Sequence, residues 1–382
     1  WISEKLVDRG VPVLRIGNPT RVNDKMLSFT YERRFESHPA YTELWGIRKS
    51  IREMNGRIRK GSHIERENMR NRISHLRDRA TELEILINEA LFSSTRVVAS
   101  TLVSSNHRIL NGRRFSTLFI DEAAQALEAA CWIAIRKADR VIFAGDHCQL
   151  PPTIKCIEAA RGGLDHTLME KVVANKPISV SLLKVQYRMN ESIMRFPSEW
   201  FYNNQLESAP EIRQRGILDF DTPMIWIDTS EMECHEEFVG ESFGRINKPE
   251  ANLLLQELES YIQKIGENRV LDEQIDFGLI SPYKAQVQYL RNKIKSNSFF
   301  RRFRPLITVN TVDGFQGQER DVIFISLVRA NESGQIGFLN DLRRMNVAIT
   351  RARMKLVILG NATTLTKHTF YHKLMEYIQK QF

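Results

Sequence analysis

The stretch from Ser116 to Thr153, STLFIDEAAQALEAACWIAIRKADRVIFAGDHCQLPPT, constrains this chain more than any other. Leu118, Phe119 and Ile120 form a short apolar run that stops at Asp121-Glu122, and a second run, Val141 to Ala144, stops at Gly145-Asp146-His147-Cys148-Gln149. Runs of this length suit strands buried on both faces of a parallel sheet. Gln125 to Ala138, between them, is long enough for a crossover helix. Open α/β sheets bind ligands beyond the carboxyl ends of their strands. Neighbouring strands that end in acidic and amide side chains therefore predict a polar site on one sheet edge.

The 382 residues allow two or three domains at about 150 residues each. Ser3 to Asp8 reads as a helix, Val13 to Ile16 as a strand, and Arg96 to Ser100 as another strand. From Arg33 to Asn88 the apolar residues thin out. Leu44, Ile47, Ile51, Met54 and Ile58, then Ile64, Met69, Ile73, Leu76, Leu83 and Ile87, keep helical spacing. They predict two long amphipathic helices turning near Lys60-Gly61-Ser62. The hairpin carries Arg48, Lys49, Arg52, Arg57, Arg59 and Lys60. It reads equally as a solvated face balanced by Glu53, Glu65 and Asp78 or as an arm that guides nucleic acid. A helical stretch is expected from Thr153 to about Asn175. Ile178 to Val185 is then expected to open a new sheet, continued by Met224–Asp228, Phe277–Ile280, Ile307–Asn310, Val322–Leu327 and Leu356–Leu359, with Pro249–Ile265 among the intervening helices. This alternation makes the second half a parallel-sheet α/β domain as well.

The net charge of +9 favours a polyanionic partner, of which nucleic acid is the commonest. No apolar run approaches the ~18 residues of a membrane span, so no membrane partner is expected. Cys131, Cys148, Cys156 and Cys234 include no C-x-x-C pair, and His147 with Cys148 and Cys156 matches no zinc spacing. Reduced thiols in an intracellular, cytoplasmic protein are expected. The opening WISEKLVDRGVPVLRIG reads as the middle of something longer, without a signal peptide.

Asp121-Glu122 after a strand has the form of a Walker B site: one carboxylate holds Mg²⁺ and the other orients or deprotonates the attacking water. A plain surface pair is the other reading. Gln149 offers an amide that can bond both a γ-phosphate and that water, with Asp146 anchoring its loop. Arg188 follows a strand in QYRMN, and Arg351 lies in NVAITRAR, read here as the first turns of a helix. A guanidinium that neutralises charge on a transferring phosphoryl group contributes about 10³–10⁵ in rate; either arginine alone also reads as a surface ion-pair former. Gly317-x-Glu319 offers backbone N–H groups for phosphate and a carboxylate for a ribose hydroxyl. Tyr187 is a platform for adenine or a core residue. Thr311 and Asp313 open the same loop, and the hydroxyl-rich turn at Ser100 and Thr101 suits phosphate contacts or an ordinary turn.

DEAAQALE, GDHCQLPPT, QYRMN, SPYKAQ, TVDGFQGQERD and LNDLRRMNVAITRAR together resemble motifs II, III, IV, IVa, V and VI of superfamily 1B helicases. The likeness is nearest to the nonsense-mediated-decay helicase, the immunoglobulin-mu-binding helicase and their bacterial homologues, and runs from Ile16 onward. It implies an α/β fold of two RecA-like parallel-sheet domains, residues 1–176 and 177–382, with a basic helical-hairpin insertion at about 30–92. It further implies ATP between the domains and 5′-to-3′ translocation along single-stranded DNA or RNA. By motif position Asp121 would bind Mg²⁺, Glu122 would activate water, Gln149 would sense the γ-phosphate, and Arg188 and Arg351 would be arginine fingers. Tyr187, Gly317 and Glu319 would contact the nucleotide. Ser100, Thr101, Pro282, Tyr283, Thr311 and Asp313 would contact the nucleic-acid strand. One departure stands out: G-x-x-x-x-G-K-[ST] is absent from the chain. The resemblance places that loop upstream of Trp1, which makes the first domain incomplete and the chain alone a poor ATPase. The rival expectation is a non-catalytic nucleic-acid-binding module that has lost the loop. The sequence leaves the oligomeric state open.

Overall fold

The computed structural model describes residues 2–57, 63–240 and 244–381. The chain divides into two compact units, Trp1–Ala144 and Gly145–Phe382. Among the described residues no helix is long and apolar enough to cross a membrane.

In the first unit β1 (Val13–Ile16) pairs in parallel with β2 (Val97–Ser100), with Val13 opposite Val97. The expected αα-hairpin lies between them in sequence, as helices Tyr41–Arg57 and His63–Ser93. Its predicted turn at Lys60-Gly61-Ser62 lies outside the described residues. Leu83, Ile87 and Leu91 recur every four residues and so share one helical face; they bury against Phe35 and Leu44. Arg48–Glu84 (2.6 Å) and Arg79–Glu43 (2.9 Å) cross between the two helices at partly exposed positions, where such pairs add little stability.

β3 (Phe115–Ile120) and β4 (Ala138–Phe143) form a second parallel pair, Leu118 opposite Val141. The connecting helix is shorter than expected, Glu128–Ile135, because a 3₁₀ turn at Ala123–Gln125 takes up the first residues. Burial on both faces is not found. Only Ile120 of β3 is buried, Phe119 is 71% exposed, and no residue of β4 is buried. Among the described residues β3 and β4 pair only with each other, and a two-stranded ribbon leaves each strand one open edge.

In the second unit short β5 (Val185–Gln186) pairs with β6 (Glu207–Ser208). The main sheet uses β7 (Met224–Asp228) and, after a hairpin of β8 (Glu237–Val239) and β9 (Gly244–Ile246), the strands β10 (Phe277–Ser281), β11 (Ile307–Thr311), β12 (Arg320–Ser326) and β13 (Ala352–Gly360). Its order is β11-β10-β12-β13-β7, parallel throughout. Alternate side chains fill two layers. Ile280, Ile323, Ile325, Leu356 and Ile358 pack with helices Glu191–Phe201, Leu342–Ile349 and Thr369–Gln381. Phe277, Leu279, Phe324, Val357 and Leu359 pack with helices Lys248–Ile265 and Lys284–Ser296. Burial on both faces is why β12 and β13 read as near-continuous apolar runs. Truncating a residue such as Leu290, fully buried on the second of these layers, to alanine would cost about 2–5 kcal/mol.

Two expectations fail here. The stretch from 153 to 175 is broken at Gly163 (φ 90°), and a regular helix resumes only at Leu168–Asn175. The run Ile178–Val185 does not open the main sheet. Val185 alone of it lies in a strand, while Ile178 is 98% and Leu183 88% exposed. Apolar patterning marks which side chains could be covered; it does not supply a partner strand.

Candidate functional site

In the first unit Asp121 and Glu122 follow β3 directly and are exposed. Glu122 sits in the left-handed region (φ 52°, ψ 39°), which is uncommon for any residue but glycine. The turn is fastened by Ala144 N–H to Ile120 O (2.8 Å) and Ala123 N–H to Ala144 O (2.9 Å), and the Glu122 carboxylate accepts from Gln125 Nε2 (2.7 Å). Two accessible carboxylates beyond a strand end are hard oxygen donors, which suits Mg²⁺ held through water. Ser100, the last residue of β2, and Thr101 just beyond it are exposed. The Thr101 hydroxyl donates to Ser104 Oγ (2.8 Å) and accepts from Ser104 N–H (3.2 Å), so it also builds its own turn.

In the second unit Asp146 anchors its loop as expected. It accepts from Cys148 N–H (3.0 Å), Gln149 Nε2 (2.7 Å) and Tyr202 OH (2.5 Å). Asn346 Nδ2 bonds Cys148 O (2.9 Å) and Tyr202 Oη (2.8 Å), tying the loop to the helix Leu342–Ile349. Burial, helped by Asp146, pushes the Cys148 thiol up to about 11. Asp146, His147 and Cys148 hold their donor atoms within 4.8 Å of one another. Both Asp146 oxygens are already bonded and the thiol donates to Phe201 O (3.4 Å), so Asp146 and Cys148 fasten the loop.

Arg351 does not lie in the first turns of a helix. Asp341 caps the helix at its start, the helix ends at Ile349, and Arg351 occupies the turn into β13. It is 2% exposed. Its Nε donates to Val347 O (2.9 Å), Nη1 to Gln318 O (3.2 Å), and Nη2 to Thr350 Oγ1 (3.0 Å) and Gln149 Oε1 (3.5 Å). Arg188 donates through Nε to the Glu319 carboxylate and through Nη1 to Thr350 O (3.1 Å). Arg353 binds the other Glu319 oxygen (3.0 Å) and Asp321 (2.9 Å). Burial works to raise the proton affinity of Glu319, but Arg188 and Arg353 outweigh it and hold the carboxyl below its usual range. Gln149, Arg188, Glu319 and Arg351 thus meet around Thr350. Sequence reading missed Thr350, Asn346, Tyr202 and Arg353, although three of them stand inside or beside motifs it had singled out.

The remaining candidates are spread over the second unit. Tyr187 is 66% exposed. Gly317 is exposed with φ 77°, a backbone state that favours glycine. Thr311 Oγ1 accepts from Gly314 N–H (3.3 Å) and caps the turn Val312–Phe315, while Asp313 is exposed. Pro282 is half-buried, and Tyr283 is only 4% exposed beneath Phe338.

Two family models, each described as an AAA domain, match residues 2–156 and 164–363. The chain is 32% identical over 408 residues to an uncharacterized ATP-dependent helicase of Methanocaldococcus jannaschii, with 96% of this chain and 59% of that protein covered. It is 32% identical over 380 residues to the DNA-binding protein SMUBP-2 of Mesocricetus auratus, covering 96% of this chain and 37% of that one. It is 33% identical over 395 residues to the regulator of nonsense transcripts 1 homolog of Arabidopsis thaliana, covering 99% and 29%. The chain therefore spans between 29% and 59% of the length of these relatives.

Proposed function

We propose a function from one premise: this chain belongs to the superfamily 1 helicases of the SMUBP-2 and regulator-of-nonsense-transcripts type. The protein that carries it is an ATP-dependent helicase or translocase on single-stranded DNA or RNA, working in the cytoplasm. The observation that carries this reading is the network of Gln149, Arg188, Glu319 and Arg351 around Thr350. It couples a neutral amide that can report a terminal phosphate to two guanidinium groups of the kind that offset phosphoryl-transfer charge.

In this reading residues 1–176 belong to the first RecA-like domain and 177–382 to the second. Asp121 holds Mg²⁺, which neutralises phosphate charge when bound, and Glu122 takes a proton from the attacking water. Gln149 reads the γ-phosphate, and Arg188 and Arg351 offset charge on the transferred group. Tyr187 stacks on the nucleotide base, and the Gly317 backbone lies against the nucleotide. Glu319 serves the nucleotide by holding Arg188, since both its oxygens are already bonded to arginines. Ser100, Thr101, Pro282, Thr311 and Asp313 line the strand path. G-x-x-x-x-G-K-[ST] is not among these 382 residues, so the chain by itself hydrolyses little or no ATP. That same missing motif supports the second reading, a nucleic-acid-binding module without turnover.

The test is ATP hydrolysis by the product of the complete reading frame, titrated in parallel with single-stranded DNA and RNA. Stimulated turnover supports the motor. A complete reading frame without G-x-x-x-x-G-K-[ST], or no turnover with that motif present, hands the case to the binding module.

A further inference from the structure

We propose that Phe338 is the base-stacking platform of the second unit for single-stranded nucleic acid. The proposal rests on the nucleic-acid reading above and names a residue that no motif assigned. Motif position had given Tyr283 the contact with the strand. Tyr283 is 4% exposed, and its hydroxyl lies 3.4 Å from Arg329 Nη1, itself on a 3% exposed side chain that pairs with Glu236 (2.7 Å). A base cannot lie on a ring so covered. The covering ring is Phe338, 5.6 Å from Tyr283 between centroids and 57% exposed.

The local backbone holds Phe338 outward. Ile336 and Leu339 on either side are 8% and 1% exposed, and Leu339 O accepts from Tyr371 OH (2.7 Å). Gly337 takes φ +56°, and a Cβ there would lie 2.3 Å from Arg329 Nη1 and 3.0 Å from Tyr283 Oη. The turn Gly337–Asn340 is therefore pressed onto the Arg329–Tyr283 pair, and the side chain between its two buried anchors must face solvent. Arg344 places its guanidinium 5.7 Å from the Phe338 ring centre, and Lys284, next to Tyr283, is exposed. Arg344, paired with Asp341 (3.2 Å), would have to swing off the ring for a base to stack there and would then stand beside the phosphate. A rigidly backed, exposed aromatic ring with such a cation is what a base and its phosphate require, and stacking tolerates any base. An exposed phenylalanine that served only packing would have no reason to stand on so fixed a footing.

The experiment uses the 382-residue chain with fluorescein-labelled oligo(dT) and oligo(U), and with oligonucleotides carrying 2-aminopurine. Phe338→Ala should weaken binding roughly 10-fold or more and abolish the 2-aminopurine quench, while Phe338→Trp should bind within about threefold of the parent. Because the ring is exposed, the alanine variant should keep its melting temperature. Its salt slope should also stay put, since no phosphate contact is lost. The DNA and RNA arms show whether the platform is indifferent to the sugar. A parent chain that binds with Phe338→Ala binding equally well overturns the platform alone. A parent chain that binds neither oligonucleotide overturns the nucleic-acid reading, and the platform falls with it.

Discussion

The carboxylate of Glu319 holds the guanidinium of Arg188. The contact joins segments 131 positions apart in sequence, and it fixes where the arginine can point. If Glu319 acts through Arg188, Glu319→Gln in the full-length protein should lower kcat roughly 10- to 100-fold and leave KM for ATP nearly unchanged. A carboxylate that bound the ribose directly would show the reverse split, with KM raised and kcat kept. Steady-state kinetics at saturating nucleic acid decide between the two.

Glu122 sits in a left-handed turn with its carboxylate held by Gln125. Glu122→Gln keeps the shape and removes the basic oxygen. Turnover should fall by about 10²–10⁴, with ATP-analogue affinity unchanged in a binding titration. ATPase close to that of the parent protein would strike Glu122 from the role of base.

Arg351 is buried and bonded to two backbone carbonyls as well as to Gln149 and Thr350. Arg351→Ala would orphan those acceptors and lower the melting temperature along with kcat, so it cannot separate the two effects. Arg351→Lys keeps the charge but loses the planar fork. It should keep most of the stability and still lower kcat by about 10³. A lysine variant with full kcat would remove Arg351 from the catalytic list.

Cys156 is exposed, whereas Cys131 and Cys234 are buried and the Cys148 thiol is pushed up to about 11 by burial and by Asp146. Thiolate is the reactive form. Iodoacetamide at pH 7.5 should therefore modify Cys156 first, read by peptide mass spectrometry. Early modification of Cys148 would show that its loop opens away from Phe201 and Asn346.

The five-stranded sheet was legible because burial on both faces leaves unbroken apolar runs such as Val322–Ile325 and Leu356–Leu359. The same rule misjudged β3 and β4, where a residue such as Phe119 is apolar yet exposed. Side-chain type reports what could be covered, and neighbour strands decide what is. At the site, Gln149, Arg188 and Arg351 stood out as residue types fit for phosphate chemistry. Thr350, which accepts from both arginines, did not. Arg353 reaches Glu319 because β12 and β13 run parallel with Arg320 opposite Ala352, a register that no local spacing records. Tyr283 was misleading for the same reason, since its cover comes from Phe338, distant in sequence.

Glu250 supplies a pH dependence that has no part in catalysis. Its side chain is fully buried, and Oε1 accepts from Ser326 Oγ (2.5 Å) and Val328 N–H (2.9 Å). Burial pushes the carboxyl up to about 7, against the opposing pull of those two bonds. The folded state therefore prefers the protonated acid more than the unfolded chain does. The resulting stabilisation is fully present below the ordinary carboxylate value near 4.5 and is lost as pH rises through about 7. Glu250→Gln can keep both hydrogen bonds through its amide oxygen and has no proton to lose. Relative to that variant, the parent chain should lose on the order of 3 kcal/mol of unfolding free energy between pH 4.5 and pH 8. Urea unfolding of both proteins across that range measures the difference. Curves that stay parallel would mean the buried carboxyl ionises no differently in the folded and unfolded chain.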